Sequence, residues 1–210
     1  MNLNLKSLYM VLLLIFFVFL PMVFFIFTQI PQRSILKDTI SIITILAFFV
    51  VLLQFFLSNL NIGLKSIFQS SKIIKIHKIL GYTAIPILLF HPFLIVVPRF
   101  FEVGPRPLDS FIKMITTFDS LAIILGIIGW CLILLLGLTS ILKDKLKMSY
   151  KAWKIFHGSL ALVFIIFASW HSIETGKHMN LSMSILVILI SLAASILLFK
   201  SYFTTNKNKG

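Results

Sequence analysis

The chain has 210 residues, of which 59% are hydrophobic and 12% charged, and its mean hydropathy of +1.06 excludes a soluble globular domain of ordinary composition. A net charge of +13 would suggest a nucleic-acid partner for a soluble protein, but here the basic residues lie between apolar runs. The single cysteine, Cys131, excludes an intramolecular disulfide, a CxxC redox pair and a CxxCH attachment site.

Six apolar runs are long enough to cross a bilayer as α-helices, and they are too uniformly apolar for the alternating strands of a barrel. The first run follows Lys6 without a small-residue cleavage site behind it, so we interpret it as a retained span rather than a signal peptide. The sequence predicts an all-α integral membrane protein, a six-transmembrane-helix bundle forming a single transmembrane domain over residues 1–210. In chain order the predicted spans are residues 8–29, 39–60, 75–98, 120–142, 153–173 and 180–202.

Basic residues are divided unequally between the two sets of connections. Thirteen of the 19 lie on the side that holds both termini, and six lie on the other. The positive-inside rule therefore predicts a multi-pass protein of the cell membrane with both termini cytoplasmic, so the third and fifth helices both run outwards. The thirteen are Lys6, Lys65, Lys72, Lys75, Lys78, Lys143, Lys145, Lys147, Lys151, Lys154, Lys200, Lys207 and Lys209.

Four of the five histidines form two equally spaced pairs, His77 with His91 on the third helix and His157 with His171 on the fifth. Fourteen helical steps return to within about 40° of the starting direction and span about 21 Å, so each pair lies on one helix face. Since the two helices run in the same direction, His77 lies at the depth of His157 and His91 at the depth of His171.

Two facing imidazole pairs in an apolar bundle can hold two haem irons through their axial positions. The alternative is that each histidine is a satisfied polar group bonded to a neighbouring helix. Ionisable groups within spans are rare and usually functional, and the matched intervals favour the ligand interpretation. We therefore predict two stacked b-type haems between the third and fifth helices.

These residues resemble the ferric reductase-like transmembrane domain family, the membrane core of ferric reductases and NADPH oxidases. The resemblance covers about residues 40–175 and is carried by His77 to Tyr82, Phe90-His91, Leu138 to Ser140, and the stretch from Tyr150 to His171. It implies that His77 and His157 ligate the inner haem and His91 and His171 the outer one, the pairing that helix geometry also gives. Related haem subunits of periplasmic methionine sulfoxide reductase systems typically lack histidine at the position of His77, so the two-haem branch is favoured.

The resemblance implies electron transfer from a cytoplasmic-side donor to an extracytoplasmic acceptor such as ferric iron or dioxygen. Full-length ferric reductases continue into flavin and NAD(P)H domains, whereas this sequence contains no GxGxxG loop. We expect an oxidoreductase component that needs a separate flavoprotein, bound flavin or the quinol pool as donor. The basic stretches 72–78 and 143–154 either dock that donor or only fix the topology.

Two alternatives stay open. The first is a haem-binding membrane subunit that reduces a dedicated extracytoplasmic partner reductase. The second is a metal or proton transporter that uses the histidines as transport ligands. The second is disfavoured because all six acidic residues fall in loops or at helix ends, away from mid-membrane.

Several further positions carry expectations. Lys75, Lys78 and Lys154 either pair with propionates of the inner haem or snorkel to the interface, and the same choice applies to Arg99 and Arg106 at the outer haem. Gly81 and Gly158 leave room for the macrocycle or serve helix packing. Pro86 and Pro92 each free a backbone carbonyl, one of which is expected to orient the His91 ring. We interpret Trp153 and Trp170 as interfacial anchors. We expect His178 to be an ordinary exposed loop residue and the segment from Pro98 to Asp119 to be an ordered surface loop.

Overall fold

The computed structural model describes residues 4–28, 30, 33–57 and 68–207, with side chains described as far as Lys200. Within this part of the chain all regular structure is helical, and six helices are long and apolar enough to cross a membrane. The predicted six-span, all-α architecture is thereby confirmed. The spans are α1 (Leu5–Ile26), α2 (Ile35–Phe56), α3 (Ser70–Val96), α5 (Leu121–Ile141), α6 (Tyr150–Thr175) and α7 (Leu181–Lys207), and α4 (Pro107–Thr116) lies between α3 and α5.

Most predicted spans match these helices to within a few residues, but α1, α2, α3 and α6 begin three to five residues earlier than predicted. Their first turns carry Lys6, Lys37, Lys72 and Lys151, whose charged ends can lie outside the hydrocarbon while the backbone remains helical. At α5 and α6 the start is fixed by a serine cap. The hydroxyl of Ser120 accepts the Ile123 N–H at 3.3 Å, and that of Ser149 accepts the Ala152 N–H at 3.2 Å. The predicted end of the second span at residue 60, and the inner residues Lys65 and Lys209, lie outside the described residues.

The connection from Pro98 to Asp119 contains a helix that the loop prediction missed. Its ten residues form α4, an amphipathic helix that begins at Pro107, a residue suited to the first turn. The ring of Phe111 stacks on that of Phe93 in α3, with centroids 4.5 Å apart. The apolar side of α4 therefore contacts the C-terminal end of α3, as expected of a helix lying in a membrane interface.

The core of the bundle lies where α2, α5, α6 and α7 meet. The side chains of Phe49, Leu52, Ile165 and Val187 are fully buried there, whereas leucines and isoleucines on the outer faces of the same helices are exposed. A bundle with apolar residues on both its inner and outer faces is a membrane bundle, whose outer surface contacts lipid.

The packing of the helices leaves a cleft beside α5. Helix α6 packs closely on α5 and α3 packs closely on α2, while α3 also contacts α5. Helices α3 and α6 are not among the closely packed pairs of the described chain. His91 of α3 and His171 of α6 line the same cavity in this cleft.

Candidate functional site

His91 and His171 lie together at the end of the cleft nearest the C-termini of α3 and α6. Both line one cavity of about 90 Å³, and the two imidazoles are near enough to interact electrostatically. The rest of the lining is mainly apolar and includes Phe48, Leu88, Trp130, Ile133 and Phe164. The cavity is smaller than the pockets of about 300–1,000 Å³ that hold drug-sized ligands, so a macrocycle would enter only with displacement of lining side chains.

The ring of His91 is oriented by a carbonyl that a proline leaves free. Pro92 has no N–H to donate to the Leu88 carbonyl, and Nδ1 of His91 donates to that oxygen at 2.7 Å instead. Because a carbonyl oxygen only accepts, the proton must be on Nδ1, and the lone pair of Nε2 is free. The expectation that a proline-freed carbonyl orients His91 is confirmed.

The ring of His171 is held by the first turns of α5. Its Nδ1 donates to the Ala122 carbonyl at 2.9 Å, which again leaves Nε2 free. Gly126 lies flat against the imidazole, and a β-carbon at this position would come within 2.8 Å of Cγ and closer still to Nδ1 and Cε1. Only glycine therefore fits at residue 126 with His171 in this orientation, a requirement that sequence reasoning missed.

At the opposite end of the cleft, nearer the N-termini of α3 and α6, the imidazoles of His77 and His157 also interact electrostatically. Nδ1 of His157 is buried and has no hydrogen-bond partner among the described residues. The indole of Trp153 stacks on the His157 ring with centroids 5.0 Å apart, and its Nε1 donates to the Thr139 carbonyl at 3.2 Å. Trp153 therefore supports a histidine in addition to lying near the helix end, where only an anchor was expected.

His77 has a side-chain partner that the sequence analysis did not single out. The amide of Gln54 in α2 lies 2.6 Å from Nδ1 of His77. The available signal was the single amide within the long apolar run of α2, since polar side chains in spans usually bond a neighbouring helix. A β-carbon added at Gly81, one turn beyond His77, would meet nothing within 4 Å, and Gly158 beside His157 is buried.

The prediction that His178 is an exposed loop residue is wrong. Only 6% of His178 is exposed, and its ring stacks on Phe25 with centroids 4.0 Å apart. Nη1 of Arg33 donates to Nε2 of His178 at 2.7 Å, and Asp38 lies 3.9 Å from the same nitrogen. The residue is buried because the α6–α7 connection folds against α1 and the start of α2, a tertiary contact with no local signal.

The basic residues that were expected near the haems differ in their ion-pair partners and in their exposure. Nε of Arg106, at the start of α4, pairs with Asp109 in the first turn of that helix at 2.9 Å. The guanidinium of Arg99 packs over Gly104 and interacts with Glu102, whose carboxylate is 2.7 Å from Lys37. Lys75 and Lys78 are exposed near the N-terminus of α3, and Lys154 is half-buried on α6.

The chain was compared with known proteins. The model of the ferric reductase like transmembrane component family matches residues 43–168, a stretch that includes His77, His91 and His157 and ends just before His171. An uncharacterized protein from Archaeoglobus fulgidus is 38% identical over 159 residues, which cover 76% of this chain and 86% of that protein. No solved structure matches. Because the family match covers more than half of the chain, this protein belongs to the ferric reductase like transmembrane component family.

Proposed function

We propose that this protein carries electrons across the cell membrane by means of two b-type haems, an inner one ligated by His77 and His157 and an outer one ligated by His91 and His171. Membership of the ferric reductase like family supports transmembrane electron transfer in general. The observation that carries the finer proposal is the pairing of four histidines, two by two, across the cleft between α3 and α6.

The number of ligands suits haem better than a bare cation. Two histidines at each site would be enough to hold a haem, whereas zinc bound by protein alone takes about four ligands. In the described ranges no three His, Cys, Asp or Glu side chains come together as a metal site. The tautomers of the outer pair also fit, because Leu88 and Ala122 hold the proton on Nδ1 and leave Nε2 available.

When bound, haem supplies reversible one-electron chemistry of iron. The residues of the chain hold and orient it. The carbonyls of Leu88 and Ala122 fix the outer imidazoles, and Trp153 supports the inner His157 by stacking. Phe48, Ile133 and Phe164 exclude water from the outer site. The four histidines would hold the haems, which would supply one-electron transfer, so the acceptor would be reduced close to the end of the cleft that holds His91 and His171.

We further propose that both termini are cytoplasmic, that a flavoprotein, bound flavin or quinol delivers the electrons there, and that ferric iron or dioxygen accepts them outside. The excess of lysine at the ends of α3, α5 and α6 that lie near His77 and His157 supports this orientation. A cysteine introduced at Lys145 in a Cys131→Ala background should react with a membrane-impermeant maleimide only after the cells are opened. Labelling of the introduced cysteine in intact cells would show that the orientation in the membrane is the opposite of the one proposed.

A second candidate shares the chemistry but has a protein as acceptor. It is favoured by Phe100, Phe101 and Val103, which are largely exposed in the connection that follows α3, at the same end as His91 and His171. A dedicated extracytoplasmic reductase would cover such apolar side chains. Fast reduction of a small ferric chelate by the purified protein alone would speak against this candidate.

Transmembrane electron transfer is tested with sealed vesicles that contain haem-loaded protein, dithionite inside and a ferric chelate outside. Dithionite is oxidised, one electron at a time crosses the membrane, and each ferric ion becomes ferrous. The wild type should form ferrous chelate well above the rate of empty vesicles, and His171→Ala should return the rate to that level. Equal rates for empty vesicles and wild type would refute the proposal.

A further inference from the structure

Gln54 is an amide side chain in the otherwise apolar second half of α2, and it points at α3. In the orientation that satisfies both ends of the amide, its NH2 group donates to Nδ1 of His77 at 2.6 Å and to the His77 carbonyl oxygen at 3.1 Å. Its Oε1 accepts the N–H of Gly81 at 3.1 Å. Gln54 is thus bonded to the ring of His77 and to two backbone groups of α3, the His77 carbonyl and the Gly81 N–H, which lie one helical turn apart.

This arrangement decides where the proton of His77 lies. An NH2 group only donates, so the Nδ1 atom that it faces must accept, and the proton of the neutral ring is then on Nε2. An imidazole that binds iron through Nε2 needs its lone pair there and its proton on Nδ1. In this orientation of the amide, His77 is held in the tautomer opposite to that of His91 and His171, whose Nδ1 atoms face carbonyl oxygens.

The Gln54 amide can also form a hydrogen bond with the other tautomer of His77. A half-turn of the Gln54 amide exchanges its oxygen and nitrogen, so that Oε1 accepts from Nδ1–H of His77 and Nε2 becomes free. The same rotation breaks the bonds to the His77 carbonyl and the Gly81 N–H. The outer site is ready to bind through Nε2, whereas the inner site must first rearrange at Gln54.

We infer that Gln54 is a positioning residue that sets which nitrogen of His77 is available to iron, and thereby tunes the affinity and midpoint potential of the inner haem. This inference rests on the proposed two-haem function. A hydrogen bond from Nδ1 to an acceptor makes the imidazole a stronger donor to ferric iron. Removal of Gln54 Oε1 should therefore favour the ferrous state and raise the midpoint potential of the inner haem alone.

The test is a redox titration of the purified two-haem protein, with Gln54→Leu and Gln54→Glu compared with wild type. The inner potential is the one that disappears in His157→Ala. Loss of a partner of a metal-bound histidine typically changes affinity 10–100-fold. A tenfold change in the ferric-to-ferrous affinity ratio corresponds to about 59 mV for one electron. We expect Gln54→Leu to raise the inner potential by about that amount or to lose the inner haem, and Gln54→Glu, which only accepts, to lower it.

Thr44→Val is the matched control, because Thr44 lies on the same helix and its hydroxyl, among the described residues, donates to the Ile40 carbonyl of α2 and not to α3. It should leave both potentials and the haem content unchanged. The inference is overturned if neither Gln54 variant alters the inner potential or occupancy, or if both haems change together, since the latter indicates a general packing defect. A wild type without haem would instead defeat the proposed function before Gln54 is tested.

Discussion

The glycine at residue 126 and the ring of His171 occupy adjoining space. Replacement by alanine would place a β-carbon inside the van der Waals surface of the imidazole, so the ring must turn away from the Ala122 carbonyl. We predict that Gly126→Ala weakens the outer haem by 10–100-fold and leaves the inner haem in place. The measurement is the haem-to-protein ratio after purification, which should fall from about two towards one.

Gly137→Ala is the matched control on the same helix. Its new β-carbon would meet Ile85 at 3.4 Å, an ordinary contact, and should leave both haems bound. If Gly126→Ala retained the outer haem with an unchanged spectrum, the ring of His171 would not occupy the position described here.

At this scale the ligand candidates could be predicted from the sequence, but their partners could not. The interval of 14 residues on two helices of equal direction singled out His77, His91, His157 and His171, because spacing along a helix fixes their faces. Gln54 and Gly126 act through contacts between helices, and helical periodicity does not report which residue of one helix meets which residue of another. The burial of His178 was missed for the same reason.

At the scale of elements, helix α3 combines two prolines with two candidate ligands. Replacement of Pro92 by alanine restores a backbone N–H that donates to the Leu88 carbonyl and competes with Nδ1 of His91. We predict that Pro92→Ala weakens the bond that orients His91 and changes the outer haem's affinity by up to tenfold, with its midpoint potential raised. Redox titration measures both potentials in one experiment.

Pro86→Ala controls for the general effect of straightening α3, because the carbonyl one turn before it belongs to Tyr82 rather than to a histidine partner. The midpoint potential of the inner haem should be unaffected by either proline substitution. Equal shifts in Pro86→Ala and Pro92→Ala would show that helix shape, and not the Leu88 carbonyl, governs the outer site.

The elements themselves were well predicted wherever an apolar run marked them. All six spans were found since about 20 apolar residues per helix are needed to cross the hydrocarbon. Helix α4 was missed because Pro105, Pro107 and charges of both signs suggested a loop. The spacing of Leu108, Phe111, Ile112 and Ile115 was the signal, since it follows the i, i+3, i+4, i+7 pattern of an amphipathic helix.

At the scale of the whole molecule, His178 joins distant parts of the chain by contacting Phe25 on α1, Arg33 before α2, and Asp38 within α2. Burial, and then the neighbouring Arg33 guanidinium, lower the pKa of His178, and Asp38 opposes them. In the unfolded chain a histidine titrates near about 6.5. Below that pH the unfolded state binds a proton that the folded state excludes, so the free energy of unfolding should fall as the pH falls.

We predict that the thermal unfolding temperature in detergent decreases between pH 7.5 and 5.5, and that His178→Gln makes this decrease shallower. Glutamine keeps an acceptor for Arg33 but does not titrate. The other four histidines are common to both proteins, so they do not contribute to the difference between the two slopes. Parallel pH profiles for wild type and variant would contradict the assignment of the proton to His178.

The central claim is that two haems lie between α3 and α6, each held by one histidine from either helix. It is tested most directly by the reduced-minus-oxidised visible spectrum and the haem-to-protein ratio of wild type and of His77→Ala, His91→Ala, His157→Ala and His171→Ala. We predict two b-type haems in wild type, loss of one in His77→Ala and His157→Ala, and loss of the other in His91→Ala and His171→Ala. A colourless wild type despite full haem supply, or haem loss that follows other pairs, would contradict the account.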